Sequence, residues 1–499
     1  MSAKRGANED LVRPILDGQL EPLHHAVKHR EIGVSMCSAL RSVGPFGLPP
    51  GAAPAGSAPG AALAALSRAR IDRRRFAQGL GAAAAVFAPA PFAIASGNAR
   101  VVIIGGGPAG ATVAGEVKKA APKLSVTLVE PLIEYTSCFF SNHYIGGLRT
   151  LTSLTHRYSG FNALGVEFVH KAASAIDLEK RLVLLATGQK LEFDRLVVAP
   201  GIDFKFGAIE RYDEKAAEIM PHAWKSGQQT RLLRRKLEAM RDGGVVVIAP
   251  PKLPYRCPPG PYERVCVIAN YLKTAKPRSK IVVLDAKMTY SKQPAFEEAY
   301  KKYYDGMIEV HLTNDIDDQS VSRVDLRTGE IETRAGLNIK ADVANIIPQQ
   351  TAGRIALAAG LADGDWCPVD PETFMSAKAK GVYVVGDAAI AADMPKSAFA
   401  ASSQARVVAA DIVADLMFTD RAPARYHNTC WSFLAPGDSV KIGADYTPGE
   451  WKGHAGLVPS GPFVSAPGEP AELRKENYEA SLAWYTTLTN EMFQKMAKR

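Results

Sequence analysis

Six cysteines are the side chains of this 499-residue sequence with the widest capacity for redox or nucleophilic chemistry. A thiolate attacks electrophiles, binds metals and exchanges with disulfides. No two cysteines are spaced as CxxC, so neither a zinc site nor a thioredoxin-type motif is predicted, and no CxxCH occurs that would attach haem to this chain. The histidines show no ligand spacing, so no metal site is predicted. The cysteines are Cys37, Cys138, Cys257, Cys266, Cys367 and Cys430.

A glycine-rich turn after an apolar strand predicts a dinucleotide site. Residues 101–104 have the pattern of a buried strand, and the GxGxxG sequence that follows opens a predicted helix. Glycines permit the tight turn, and the helix N-terminus offers free N–H groups and a positive dipole end to a pyrophosphate. An acid at the end of the next strand, 125–130, would accept a ribose hydroxyl. The residues predicted to bind are Gly105, Gly107, Ala109, Gly110 and Glu130.

A late strand followed by glycine and aspartate favours FAD over NAD. The sequence GVYVVGDA, residues 381–388, resembles the GD motif of FAD-dependent relatives of the pyridine nucleotide-disulfide oxidoreductases. The resemblance implies that its aspartate holds the ribityl chain. It also implies that the helix starting at 395–397 points its N-terminus at the flavin, where its dipole would stabilise negative charge. This second group of predicted FAD-binding residues comprises Pro200, Gly201, Gly386, Asp387 and Lys396.

A second strand–turn–helix unit lacks the glycines that a nucleotide would need. Its strands are predicted at 244–249 and 280–285, and between them the sequence reads PPKLPYRCPPG. Prolines have no N–H donor and are stiff, so this loop cannot cradle a pyrophosphate. We therefore predict a second nucleotide-type fold that has lost its nicotinamide nucleotide.

Strands alternating with helices predict an α/β fold with parallel sheets. The predicted architecture is two Rossmann-like dinucleotide-binding folds, as in glutathione reductase, plus a C-terminal α+β interface domain. The predicted FAD-binding domain comprises 98–222 and a return segment, 346–418. The second nucleotide-like domain, without an NAD site, is placed at 223–345, and the interface domain at 419–499.

The first 95 residues have the features of a targeting segment. Residues 43–67 are mostly Gly, Pro, Ala and Ser, so 1–71 is predicted to be a disordered leader. Residues 72–95 follow the order basic, apolar, small, which is typical of a signal peptide. The arginines before Phe76 indicate a twin-arginine signal and export to the periplasm, and an ordinary Sec signal is the alternative.

Charge and hydropathy argue against a nucleic-acid or membrane-spanning protein. The net charge is +9, and the first 95 residues carry 11 Lys and Arg against 6 Asp and Glu, so much of the excess lies there. The rest of the chain shows no basic stripe, and no nucleic-acid partner is predicted. No run of 18 apolar residues follows residue 95, so no membrane span is predicted.

Three short sequences resemble one family. RCPPGPYER, DWCPVD and MPKSAFAASSQA are similar to the flavoprotein subunits of flavocytochrome c sulfide dehydrogenases and, more loosely, to sulfide:quinone oxidoreductases. The resemblance spans about residue 98 to the C-terminus. It implies that the protein oxidises hydrosulfide to sulfur or polysulfide and passes electrons through FAD to a c-type cytochrome subunit, which carries the haem.

The same resemblance implies roles for four side chains. Cys257 and Cys367 would form a redox-active disulfide, which hydrosulfide attacks to give a persulfide and a thiolate. Glu263 would accept a proton, or else cap or salt-bridge its own helix. Cys138 would form a thioether with the flavin, and a buried core thiol is the alternative. Taken alone, each cysteine of the implied disulfide also fits an inert buried thiol or a structural disulfide.

Two other functions stay open at this level. A sulfide:quinone oxidoreductase would need an apolar C-terminal region to sit on a membrane, and the tail from Asn477 shows no sustained amphipathic pair of helices. A non-catalytic flavin-binding accessory protein of sulfur oxidation would hold flavin that sulfide does not bleach.

Overall fold

The computed structural model describes residues 98–313 and 320–494 of the chain. Cys37, the predicted leader at 1–71 and the predicted signal peptide at 72–95 lie outside the described residues. Both amino-terminal assignments therefore stay predictions.

Strands and helices alternate through most of the described chain. The first part contains β1 (Arg100–Ile104), α1 (Pro108–Ala120), β2 (Ser125–Val129), β3 (Glu134–Thr136), α2 (Ser141–Ile145), β4 (Thr155–Arg157), β5 (Glu167–Val169), β6 (Ala173–Asp177), β7 (Leu182–Leu185), β8 (Lys190–Glu192), β9 (Arg195–Val198) and β10 (Ile202–Phe204). The middle part contains α3 (Gln228–Ala239), β11 (Val245–Ala249), α4 (Gly260–Ala275), β12 (Lys280–Asp285), α5 (Gln293–Tyr304), β13 (Ile308–Leu312), β14 (Val321–Val324), β15 (Glu330–Thr333), β16 (Asn338–Lys340) and β17 (Val343–Ile346). The last part contains β18 (Gln350–Ala352), α6 (Arg354–Ala358), β19 (Cys367–Pro368), β20 (Val382–Val384), β21 (Ala389–Ile390), α7 (Ala398–Met417), β22 (Tyr426–Ala435), β23 (Asp438–Trp451), β24 (His454–Val464) and α8 (Ala471–Met492).

A five-stranded parallel sheet, in the order β20-β9-β1-β2-β5, forms the first nucleotide-type fold. Its central strand β1 is apolar and buried from Val101 to Ile104, as expected for a strand covered on both faces. Strand β20 comes from far along the chain and pairs with β9. Because all five strands run in one direction, the loops after β1, β9 and β20 meet at one edge of the sheet.

A four-stranded parallel sheet, in the order β13-β12-β11-β17, forms the second fold of this kind. Asp285 at the end of β12 is buried and accepts hydrogen bonds from the hydroxyl of Tyr262 and from Lys287 Nζ. Lys287 Nζ also donates to the carbonyl oxygen of Pro251 in the proline-rich loop. Groups of the protein itself therefore satisfy the acid that, in a nucleotide-binding fold, accepts a ribose hydroxyl.

The C-terminal region is a three-stranded antiparallel sheet, β22-β23-β24, against which α8 packs. Tyr426 and Tyr446 of this sheet join the apolar core of the first fold, whereas Phe433 and Leu434 join that of the second. The sequence predicts an α+β region here but not these strands, because glycines and prolines interrupt their alternating pattern. Within the described residues, no helix has the length and hydropathy of a membrane span.

Candidate active site

A cavity of about 500 Å³ opens where the carboxyl ends of β1, β9 and β20 meet. The loop after β1, residues 105–109, lines it together with Glu130, residues 199–202 and residues 385–387. Its far wall is built by the loop before α4, by α7, by β22 and by α8. The first fold, the second fold and the C-terminal sheet therefore all contribute to one site.

The glycine loop after β1 has the close backbone approaches that a dinucleotide cradle requires. A Cβ on Gly105 would overlap the carbonyl oxygen of Ala199, and a Cβ on Gly110 would overlap that of Gly105. The Gly106 N–H donates to Glu130 Oε2 at 2.8 Å, which ties the loop to the acid at the end of β2. Gly110 does not line the cavity, and its role is to let α1 approach the loop.

Asp387, which follows β20, has an unsatisfied carboxylate oxygen that bears on whether FAD fits the cavity. Its Oδ1 atom is buried and has no hydrogen-bond partner in the protein, while Oδ2 faces the guanidinium of Arg256 at 3.5 Å. A buried carboxylate oxygen requires a donor, and Asp387 lines the cavity at the same sheet edge as the glycine loop. A ribityl hydroxyl would provide that donor, so the residues present fit FAD. Pro200, Gly201 and Gly386 also line the cavity, as predicted.

Lys396 lies behind the Asp387 loop and does not line the cavity. Its Nζ donates to the carbonyl oxygens of Asp387 at 2.9 Å and Ala389 at 2.7 Å, and it sits 3.8 Å from the centre of the Trp366 ring. Burial lowers the pKa of Lys396 to about 8, against the opposing effect of the Asp387 charge. The contacts of Lys396 thus hold the loop, whereas Ser397, which caps α7, lines the cavity.

The cysteines of the described residues are free thiols, and Cys138, Cys257 and Cys430 line the cavity. Cys367 does not line it, because it is fully buried in β19, which pairs with β21. The structure therefore does not form the predicted Cys257–Cys367 disulfide. Burial raises the pKa of Cys257, and the negative charge of a nearby Cys430 thiolate raises it further. Cys266 is buried in α4.

Cys257 is held in an unusual backbone conformation directly before α4. Its φ of 57° lies in the left-handed region, which non-glycine residues adopt mainly where the surrounding structure enforces it. The Cys257 N–H donates to the carbonyl oxygen of Lys396 at 2.8 Å, and its own carbonyl accepts from the Gly260 N–H at 2.8 Å. The backbone of Cys257 is thus bonded both to α4 and to the segment before α7.

Glu263, in the first turn of α4, is half-buried, lines the cavity, and its charge acts on Cys257 and Cys430. Its Oε1 accepts from the Phe433 N–H at 3.0 Å, and its Oε2 accepts from Asn142 Nδ2 at 2.7 Å. Burial raises the pKa of Glu263, and these two donors oppose the rise. Both partners come from other elements, so the carboxylate is not a cap of its own helix.

Asn142 and Arg264 are site residues that the sequence reading missed. Arg264 is fully buried, and its Nε donates to Asn142 Oδ1 at 3.0 Å. The Asn142 amide must therefore turn its NH₂ group toward Glu263. Two further bonds from Arg264, to Asn345 Oδ1 at 2.8 Å and to the carbonyl oxygen of Ala223 at 2.8 Å, fix the guanidinium. Asn142 belongs to no motif identified in the sequence, whereas Arg264 ends the sequence RCPPGPYER, for which the resemblance implied no role of this arginine.

Cys138 lies at the cavity wall beside Arg256. Its Sγ is 3.9 Å from the carbonyl oxygen of Trp224, to which the Arg256 guanidinium also donates. Burial lowers the pKa of Arg256, but the negative charges of Cys138 and Asp387 reverse this, and the net pKa is raised. Within the described ranges, no cluster of three or more His, Cys, Asp or Glu side chains is arranged to hold a metal ion.

Three regions of the chain match known protein families. Residues 99–238 match the pyridine nucleotide-disulfide oxidoreductases, residues 230–348 match the central part of the flavoprotein chain of flavocytochrome c sulfide dehydrogenase, and residues 422–493 match its flavin-binding region. The sulfide dehydrogenase flavoprotein chain of Chlorobaculum thiosulfatiphilum is 50% identical over 46 residues, which are 9% of this chain and 96% of that sequence. This chain belongs to the flavocytochrome c sulfide dehydrogenase flavoprotein family.

More distant relatives share the fold with this sulfide dehydrogenase family member. The mitochondrial sulfide:quinone oxidoreductase of Dictyostelium discoideum is 21% identical over 328 residues, covering 63% of this chain and 70% of that protein. The crystal structure of the sulfide:quinone oxidoreductase of Aquifex aeolicus superposes with a TM-score of 0.61 at 17% identity, over 79% of this chain and 91% of that one. The predicted fold class, with two Rossmann-like folds, is therefore confirmed.

The regions that match the sulfide dehydrogenase family contain two of the three thiols of the cavity wall. Cys257 and Glu263 fall within residues 230–348, and Cys430 falls within residues 422–493. Cys430 lies on β22, a strand that the sequence pattern does not predict. Only the structure shows that β22 places this thiol on the cavity wall.

Gly110→Ala should destabilise the protein and weaken FAD binding, because the new Cβ would overlap the carbonyl oxygen of Gly105. Overpacking of this kind costs about 1–3 kcal/mol. Urea unfolding and the flavin absorbance per protein molecule measure the two effects. Gly107→Ala is the matched control for stability, since its Cβ would approach only the Tyr135 ring, at 3.9 Å. Equal losses of stability in the two variants would contradict this account of the loop.

Proposed function

We propose that this protein is a flavin-dependent sulfide dehydrogenase in which Cys257 and Cys430 form the redox-active pair. The observation that carries the proposal is that two free thiols and a half-buried carboxylate, Glu263, converge on the cavity that also contains the glycine loop and Asp387. Membership of the sulfide dehydrogenase flavoprotein family supports sulfide as the reductant.

The choice of Cys430 over Cys367 as the partner of Cys257 rests on where each thiol lies. Cys430 lines the cavity, and its charge acts on Cys257. Cys367 is absent from the lining and is fully buried, and the charged group that acts on it is Lys396.

The chemistry starts from the Cys257–Cys430 pair as a disulfide. Hydrosulfide attacks one of its sulfurs, so that the bond between the cysteines breaks, a sulfur–sulfur bond to the substrate forms, and the other cysteine leaves as a thiolate. The proton of the resulting persulfide passes to Glu263, whose pKa is raised by burial and therefore suits proton acceptance closer to neutral pH. Departure of the sulfur as zero-valent sulfur or polysulfide leaves two electrons on the cysteine pair.

The residues that would hold FAD are those at the common edge of the first sheet. The loop 105–107 and the N-terminus of α1 suit the pyrophosphate, Glu130 a ribose hydroxyl, and Asp387 the ribityl chain. When bound, FAD supplies a two-electron acceptor for the thiol chemistry. Phe399, Trp431 and Trp484 form an aromatic wall on one side of the cavity.

Cys138 is proposed as the attachment point of the flavin. It is a free thiol on the cavity wall, and no other cysteine is near enough in the sequence to make a glutathione-reductase-type disulfide there. Cys138 lies beside the Arg256 guanidinium, since both contact the carbonyl oxygen of Trp224.

The electron acceptor is proposed to be a c-type cytochrome subunit that carries the haem, in the periplasm. The family description supports a cytochrome partner, and the twin-arginine pattern at 72–95 supports export after the flavin has been acquired. The partly exposed rings of Trp431 and Trp484 are of the type that anchors protein partners. Sulfide:quinone oxidoreductase activity is the second candidate, because structures with that activity share this fold.

Cys257→Ser and Cys430→Ser should slow the anaerobic bleaching of bound flavin by sulfide by about 10³-fold or more, because each removes one sulfur of the pair. Stopped-flow absorbance of the FAD-loaded full chain measures the rate.

Cys367→Ser is the matched control, and it should bleach at the wild-type rate. Loss of bleaching in Cys367→Ser with retention in Cys430→Ser would overturn the proposed pair. A wild-type protein whose flavin sulfide does not bleach would instead favour the accessory-protein reading.

Acid precipitation should leave the yellow colour in the protein pellet, with the flavin on the peptide that contains Cys138. Cys138→Ser should release it into the supernatant. Release from the wild-type protein would rule out a covalent link.

Steady-state turnover with sulfide should reduce a soluble c-type cytochrome much faster than a short-chain quinone. The two acceptors are compared at equal concentration with the same FAD-loaded protein. Faster reduction of the quinone would favour the sulfide:quinone oxidoreductase alternative.

A further inference from the structure

Lys292 is a buried lysine directly behind the cavity cysteines. It precedes α5, its φ of 60° lies in the left-handed region, and it is only 5% exposed. Its Nζ donates to the carbonyl oxygen of Cys430 at 3.0 Å and to Ser432 Oγ at 2.6 Å. The loop before α5 thereby places an ammonium group against the backbone of the strand that carries Cys430.

The titratable groups that face this ammonium come from three different elements. They are Cys430 on β22, Glu263 on α4 and Cys257 in the loop before α4. Burial lowers the pKa of Lys292 to about 8, and the charges of these three groups oppose the fall. In return, the Lys292 charge lowers the pKa of each of the three against the effect of burial.

A thiolate that forms at the cavity cysteines adds a negative charge that needs a nearby cation. Opening a Cys257–Cys430 disulfide produces a thiolate in a buried site that already contains the Glu263 carboxylate. Two unpaired anions in a low-dielectric site are costly, because a like charge and desolvation both disfavour the ionised form. The other nearby cations are already balanced, since the charge of Arg264, whose hydrogen bonds go to neutral groups, acts on Glu263, and Arg256 faces Asp387. The new thiolate therefore needs a further cation.

We propose that the Lys292 ammonium is the counter-cation of the thiolate that forms when the Cys257–Cys430 pair opens, and that it thereby stabilises the reduced pair. Lys292 is a positioning residue, since it does not line the cavity and acts through Cys430 and Glu263. The inference rests on the proposed function, because it requires this pair to cycle. A stabilised thiolate is a better leaving group and makes the disulfide more oxidising.

A buried lysine with a purely structural role could make the same kind of hydrogen bonds as Lys292. Lys276 provides an example in this chain. Lys276 is buried, and its Nζ donates to the carbonyl oxygens of Glu238 and Met240. It lies in the same nucleotide-type fold but does not act on the cavity cysteines. Lys276→Gln is therefore the matched control for removing a buried ammonium that has carbonyl partners.

The test follows the pH dependence of thiol alkylation in the FAD-loaded full chain after reduction with dithiothreitol. Mass spectrometry gives the iodoacetamide rate at the Cys430 and Cys257 peptides. Lys292→Gln keeps a donor for Cys430 and Ser432 but removes the charge. Lys292→Gln should raise the midpoint pH for alkylation of the more reactive cysteine by about 1–3 pH units. At a pH below both midpoints, alkylation of the variant should be about tenfold slower than that of the wild type for each unit of this rise. Lys276→Gln should leave the midpoint unchanged.

Lys292→Arg is the second variant, because it keeps a positive charge at every pH of the titration. Its midpoint should stay at or below the wild-type value. A midpoint in folded Lys292→Gln equal to wild type, or a raised midpoint in Lys292→Arg, overturns the proposal. The alkylation measurement uses no sulfide. If sulfide failed to bleach the wild-type flavin, the proposed function would be contradicted, but the alkylation midpoints could still be interpreted.

Discussion

A carboxylate that is partly withdrawn from water needs hydrogen-bond donors, and half-buried Glu263 takes its donors from several separate parts of the chain. Asn142 on α2 and the Phe433 backbone on β22 bind its two oxygens. Arg264, its neighbour in sequence, fixes the Asn142 amide from the other side. The first fold, the second fold and the C-terminal sheet can therefore not shift relative to one another without leaving a charge unsatisfied.

The features that the sequence predicts well are those encoded locally. The strand, glycine turn and acid of the first fold lie within 31 residues, from Arg100 to Glu130, and each step follows from the conformational needs of those residues. Asp387 is also local in this sense, since strand, glycine and aspartate are consecutive. The proline-rich loop of the second fold is local as well, and the absence of a nicotinamide nucleotide there stays a prediction, based on prolines lacking the donors that glycines would present.

The proposed partner of Cys257 could not be predicted from the sequence. Cys367 has the more distinctive surroundings in sequence, but β19 places it in a core. Cys430 reaches the cavity only because β22 pairs with β23, and glycines and prolines hide that pairing from pattern analysis. Asn142 and Lys292 were missed for the same reason, since their roles depend on contacts with residues more than 100 positions away.

The location of the two cavity thiols has a mechanical consequence. Cys257 precedes α4 of the second fold, and Cys430 belongs to the sheet that also packs into the core of the first. A bond between them would be a long-range cross-link, which restricts the unfolded chain more than a short loop would. A protein that makes and breaks such a bond in every turnover would alternate between a clamped and an unclamped form. Its free energy of unfolding would then depend on whether a reductant is present. In an oxidising compartment without substrate, the protein would be in the disulfide-bonded form, which is the more stable one.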